Sequence, residues 1–264
     1  MNFHDAYAVL DGKFRKKVEE EGSEYIPLIP PERPVDFVLI AKEPSLGFVD
    51  GSKGNPSSEV HEKRIRGLKN FAWSFEDFML HFCIREFLCQ RQESYYLTDL
   101  AKGAMTVNAA SQSPFDRYED WYELLQMELG LVATPVAKII SVGTDVSKFL
   151  TGKCVHGHSG TIMHYSGRAV ARAGVEIPGN KEAWDQFHPK SEHVLEVAGK
   201  VMDEASMGQL SDEILSRLQK GSGITEPRRR LMFDYKIRFE RIRDPDNLGW
   251  PRYRECWDIS SEPG

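Results

Sequence analysis

A chain of 264 residues, 41% hydrophobic and 28% charged, carries enough apolar material for one large domain or two small ones, each with its own core. Its net charge of −6 argues against a protein that coats nucleic acid through global charge, although a local basic groove stays open. No apolar run is long enough to span a bilayer, and Met1-Asn2-Phe3-His4-Asp5 lacks the basic-then-apolar pattern of a signal peptide. The cysteines, Cys83, Cys89, Cys154 and Cys256, are few and scattered, without a Cys-x-x-Cys pair. That usage points to a cytoplasmic protein with free thiols and no zinc ribbon, and the lack of a long apolar run to one with no membrane partner.

In chain order, residues 5–22 read as a polar N-terminal helix, ended by the Pro-rich segment 27–34. Residues 35–41 (Val-Asp-Phe-Val-Leu-Ile-Ala) form an apolar run typical of a buried parallel strand. A loop rich in Gly, Ser, Asn and Pro follows at 45–58. Residues 59–91 carry helical periodicity, with Phe71, Phe75, Phe78, Met79 and Phe82 on the apolar side. Further strands are expected at 95–98, 137–143 and 161–165, and further helices at 117–133, 144–150 and 181–206. Beyond Gly221-Ser222-Gly223 the tail has the basic run Arg228-Arg229-Arg230, and part of 231–243 alternates apolar and charged residues as a half-buried strand does. The basic run reads as a solvated surface or, slightly preferred, a contact to DNA backbone.

Strands alternating with helices predict an α/β fold, a three-layer α/β/α sandwich around a central four-stranded parallel sheet. Residues 1–220 are expected to form this domain, and 221–264 an appendage packed on the core. Ligands in such folds sit beyond the carboxyl ends of the strands. That rule directs attention to residues 41–48, 99–102, 143–144 and 164–168.

Four short motifs lie in those places: Ala41-Lys42-Glu43-Pro44-Ser45 after the first strand, Thr98-Asp99-Leu100-Ala101-Lys102 after the second, Ile139-Ile140-Ser141-Val142-Gly143 at the third, and His164-Tyr165-Ser166-Gly167 after the fourth. Each alone is weak. Glu43 by itself reads as a solvated loop carboxylate, and His164 as a satisfied core histidine. Their order and spacing over roughly 35–205 resemble the uracil-DNA glycosylase superfamily. The resemblance implies that Glu43 stands where an Asp of the family motif Gly-Gln-Asp-Pro-Tyr positions the attacking water. Cleaving an N-glycosidic bond leaves positive charge on the sugar, which a nearby anion stabilises while orienting water. It also implies that His164 hydrogen-bonds the leaving base, and that Ser166, Gly167, Arg168 and Arg172, with Lys42 and Lys102, contact DNA phosphates. Tyr165 departs from the Pro usual in that motif.

Two departures bear on the substrate. Many members read the pyrimidine edge with an Asn where this chain has Asp99, whose plainer reading is a helix cap or a partner for Lys102. An ionised Asp accepts from the amine of cytosine and cannot donate to uracil O4. Ser45 replaces a Tyr that blocks C5 of the base in uracil-specific members. Together they point to a C5-modified cytosine, such as the glucosylated hydroxymethylcytosine of phage DNA, which some members remove in antiviral defence. A flipped base needs an aromatic to stack on. Phe48, in the loop after Glu43, is preferred to Phe71, whose helical neighbours suggest core packing. Lys53 and Asn55 share the loop with Phe48.

The expectation is therefore a monomeric, monofunctional glycosylase acting on double-stranded DNA, without cofactor, metal or iron–sulfur cluster. The cysteine spacing does not match that of the cluster-bearing branches. Rival readings are a repair enzyme for uracil or another deaminated base, and a catalytically inert DNA-binding module on the same fold.

Overall fold

The computed structural model describes residues 1–45, 67–105, 114–164, 177–221 and 223–244. Four parallel strands run through its centre in the order β3-β2-β5-β6: β2 (Val35–Ala41), β3 (Tyr95–Asp99), β5 (Ala133–Val142) and β6 (His158–Ile162). The central strand β2 is buried at every residue but Asp36. A strand covered on both faces needs such a continuous apolar run, so the sequence Val-Asp-Phe-Val-Leu-Ile-Ala suits no edge position. A two-stranded antiparallel pair, β1 (Glu24–Tyr25) with β4 (Gly103–Ala104), flanks the sheet.

Helices cover both faces. One layer holds α1 (Phe3–Glu20), α3 (Pro114–Val132) and α4 (Thr144–Gly152), the last two joined by edge-to-face contacts of Phe149 with Tyr118 and Tyr122. The other holds α2 (Phe75–Cys83), a π-helical turn (Ile84–Leu88), α6 (Ser191–Glu204), α7 (Gln209–Gly221) and α8 (Glu226–Arg243). The short α5 (Lys181–Gln186) precedes α6. The chain passes from β2 to β3 through α2, then returns past β2 to β5 through α3. Right-handed crossovers in opposite directions place their helices on opposite faces, which produces the three layers.

The expected α/β/α class is the observed one, but several elements differ from their expected bounds. Within 59–91 the described helix starts only at Phe75, where Ser74 and Asp77 form a reciprocal capping box; residues 67–74 are turns. The last strand lies at His158–Ile162, because His158 and Gly160 pair with Ile139 and Ile140. Pro189 splits the expected 181–206 helix into α5 and α6.

The tail segment expected to hold a strand is helix α8. Pro227 suits its first turn, and Leu231, Tyr235, Phe239 and Ile242 follow helical spacing, all buried. The charged residues that gave the impression of alternation pair along the helix, Arg230 with Glu226 and Arg238 with Asp234. This helix contributes to the main core rather than decorating it. Its basic run is absorbed as well. Arg228 pairs with Glu76 at 2.7 Å, and Arg229 stacks on Trp184 at 3.8 Å while donating to two backbone carbonyls. Among the described residues, no helix is long and apolar enough to cross a membrane.

Candidate active site

Strand order reverses between β2 and β5, and ligands of open parallel sheets bind outside the carboxyl ends at such a point. The register sets Ala41 opposite Asp99 and Val142 opposite Ile162. Lys42, Glu43, Asp99, Asp145 and His164 therefore share one end of the sheet. Three backbone hydrogen bonds tie the first two post-strand loops together: Leu100 N–H to Ala41 O (2.8 Å), Ala101 N–H to Lys42 O (3.0 Å) and Met105 N–H to Pro44 O (3.0 Å). They fix the backbone that carries Glu43. Lys42 reaches across the reversal to Asp145 in the first turn of α4, 3.0 Å away.

The Glu43 side chain is only 8% exposed. Arg117 of α3 brings Nη1 to 3.7 Å from its Oε2. The other terminal nitrogen, Nη2, donates to Glu21 Oε2 (2.9 Å) and to Gly103 O (2.7 Å), and Trp121 Nε1 donates to the second oxygen of Glu21 (2.5 Å). Glu21, just past the end of α1, thus sets the plane of the guanidinium. Tyr118, the next residue, is fully buried. Its hydroxyl favours the charged form of Glu43 but completes no hydrogen bond, and neither does Arg117 Nη1. Burial raises the Glu43 carboxyl above the usual carboxylate range. Lys42 and Arg117 oppose that shift, Asp145 adds to it and Tyr118 opposes it.

Asp99 is 1% exposed and accepts a hydrogen bond from Asn70 Nδ2. Burial pushes its carboxyl up to about 8; Lys102 and Asn70 pull it down, while Glu43 and Glu128 push it up. Burial thus disfavours the ionised form on which the expected discrimination against uracil O4 depends; a neutral carboxyl carries one donor and one acceptor. His164 is held neutral by burial first and Lys42 second, at about 4. A neutral imidazole still offers one N–H to an anionic leaving base.

Phe71 lies in a turn before α2, not within a helix, and adopts a left-handed backbone (φ 59°) that is an outlier for a bulky residue. Four side chains hold it there. Asn70 Oδ1 accepts from the Phe71 N–H (3.1 Å), and the other end of that amide is on Asp99. His81 Nε2–H donates to Phe71 O (2.9 Å), its Nδ1 accepts from Tyr95 Oη (2.6 Å), and Arg85 Nε donates to the same hydroxyl (3.0 Å). Burial, then Arg85, holds the His81 imidazole down at about 3, so it is neutral and one tautomer satisfies both bonds. Phe71 is 4% exposed, and Asn70 couples its position to Asp99.

Lys102 is not placed to touch DNA. It is 2% exposed, and its three N–H groups are spent on Thr98 Oγ1 (2.7 Å), Glu128 Oε2 (2.6 Å) and Asp99 O. Ser45 is exposed and bridges to Met105. Phe48, Lys53, Asn55, Tyr165, Ser166, Gly167, Arg168 and Arg172 lie outside the described residues. Arg117, Tyr118, Asp145, Asn70 and His81 were not anticipated. Only Asp145 had a sequence signal, an acid in the first helical turn after a strand-ending Gly. Comparison with protein-family models, with curated proteins and with solved structures finds no match for this chain.

Proposed function

We propose that the chain is a monofunctional DNA glycosylase of the uracil-DNA glycosylase superfamily, with a C5-modified cytosine in phage DNA as its favoured substrate and antiviral defence as its role. The observation that carries the reading is Glu43: a desolvated carboxylate beside the strand reversal, with Asp99 and a neutral His164 at the ends of neighbouring strands. A base flipped out of double-stranded DNA would enter above this end of the sheet. Glu43 orients a water toward C1′; its raised proton affinity makes it a stronger base. As the water oxygen bonds to C1′, the C1′–N bond breaks and its electron pair leaves with the base. His164 donates to that anion, and Glu43 takes the water's proton. Asp99 faces the Watson–Crick edge, and Phe71 or Phe48 stacks on the ring. Ser45 leaves space at C5.

The raised proton affinity of Asp99 favours a second reading. A neutral carboxyl complements N3 and N4 of cytosine, but equally N3 and O4 of uracil, which keeps uracil repair as the rival substrate. Mass spectrometry of bases released from duplexes carrying uracil, hypoxanthine or glucosylated hydroxymethylcytosine tests both. Release of modified cytosine alone supports the favoured reading, release of uracil alone supports the rival, and release of nothing removes both.

A further inference from the structure

We propose that Arg117 and Tyr118 complete the water site of Glu43, so that the two side chains and the carboxylate together hold the attacking water, with Glu21 as a positioning residue. The inference rests on the glycosylase reading and adds residues from α3 and the end of α1 to it. Buried donors in folded proteins are nearly always hydrogen-bonded. Here two neighbouring buried groups, Arg117 Nη1 and Tyr118 Oη, complete no hydrogen bond, and both sit against one carboxylate. The 3.7 Å between Arg117 Nη1 and Glu43 Oε2 is too long for a direct hydrogen bond and suits one bridging water. A buried water wants two to four polar partners, and this trio supplies three.

The donor inventory fixes the orientation. A guanidinium only donates and an ionised carboxylate only accepts, while a phenol does both. A water here gives one proton to Glu43 and the other to Tyr118 Oη, whose own O–H faces Glu43, and accepts from Arg117 Nη1 on one lone pair. Its second lone pair is left to form the bond to C1′. The C1′–N pair departs with the base, and the first proton passes to Glu43. Arg117 cannot rotate away, because Nη2 is tied to Glu21 and to the Gly103 carbonyl.

Three measurements test this on the full-length chain, with duplex DNA carrying whichever base the wild type releases. Tyr118→Phe removes one oxygen. Its single-turnover rate should fall about tenfold or more, with DNA affinity and thermal midpoint maintained. Arg117→Gln removes a positive neighbour of Glu43 and leaves Lys42, Asp145, Tyr118 and Asp99 in place, so the acid limb of the pH–rate profile should move to higher pH. Glu21→Ala frees Arg117 Nη2 and should lower the single-turnover rate by less than Tyr118→Phe does, and Glu21→Gln, whose amide oxygen still accepts from Nη2, should restore part of it. A high-resolution crystal structure of the wild type should show a water within hydrogen-bond reach of all three side chains. Full activity in Tyr118→Phe, an unmoved acid limb in Arg117→Gln, or no water at that point would overturn the proposal while leaving the glycosylase reading standing. A wild type that releases no base at all removes that reading, and the proposal with it.

Discussion

Two buried charge clusters, both within electrostatic reach of Asp99, differ in one respect. Around Lys102 and Glu128 the pairing is complete. The ammonium uses all three donors, and Glu128 Oε1 accepts from Tyr96 Oη (2.9 Å) and Thr98 Oγ1 (2.8 Å), with Tyr7 Oη on Tyr96 at 2.8 Å. Around Glu43 the pairing is incomplete, with Arg117 Nη1 and the Tyr118 hydroxyl both short of a hydrogen bond. A fully satisfied buried network rigidifies a core, whereas buried donors left short need an explanation, of which a ligand is one. On the proposed function, the contrast marks the Glu43 cluster as the one for chemistry, a distinction that residue types do not make, since each cluster contains a carboxylate and a cation.

The sharpest way to break the comparison is to disturb the complete cluster. Lys102→Met strands Glu128 without its cation and should destabilise the fold by about 3–5 kcal/mol. Thermal unfolding should then fall by roughly 10 °C, with base release per folded molecule retained. A variant that keeps its midpoint but loses activity would move Lys102 into the chemical cluster. The hold on Phe71 is next in size. His81→Phe leaves the Phe71 carbonyl without this donor and the Tyr95 hydroxyl proton without its acceptor, and should lower stability by about 1–3 kcal/mol. Fluorescence titration should also show weaker retention of DNA carrying the target base than of plain DNA. Equal weakening for both would place Phe71 in the core alone.

The smallest effect is a pH dependence. The folded-state value for Asp99, about 8, lies above its ordinary 3.8. Its contribution to stability is therefore complete below about pH 4 and is lost as pH rises through about 8. Asp99→Asn removes the titration. Its thermal midpoint should match or trail the wild type at about pH 5 and gain on it at about pH 9. The same titration sharpens the substrate question. If the acid reads cytosine in its ionised form, cleavage of modified cytosine persists above pH 8 while cleavage of uracil falls.

The sheet was legible because β2 and β5 are apolar enough to be nothing but buried strands, and the strand-end rule then led to Glu43, Asp99 and His164. The rest depended on contacts distant in sequence. Lys102, beside Asp99, reads as a phosphate contact until Glu128, from the far part of α3, is found against it. Arg117 resembles any arginine on an amphipathic helix, and only Glu21 and Gly103 reveal its fixed orientation. Part of helix α8 reads as a strand in sequence because a few residues of alternation suit either period, and the pairing of its charges is invisible without the fold. The raised proton affinity of Asp99 could not be read either, since it follows from burial and from the neighbouring Glu43 and Glu128.

If the incompletely paired carboxylate is the one that activates water, Glu43→Gln is the decisive substitution. Single-turnover release of the target base and thermal unfolding would be measured on the same preparation. The rate should fall by about 10²–10⁴-fold. The unfolding midpoint should hold or rise, because the substitution removes a buried charge that the fold disfavours. Unchanged base release, or a loss of activity that merely follows a loss of stability, would contradict a role for Glu43 in activating water.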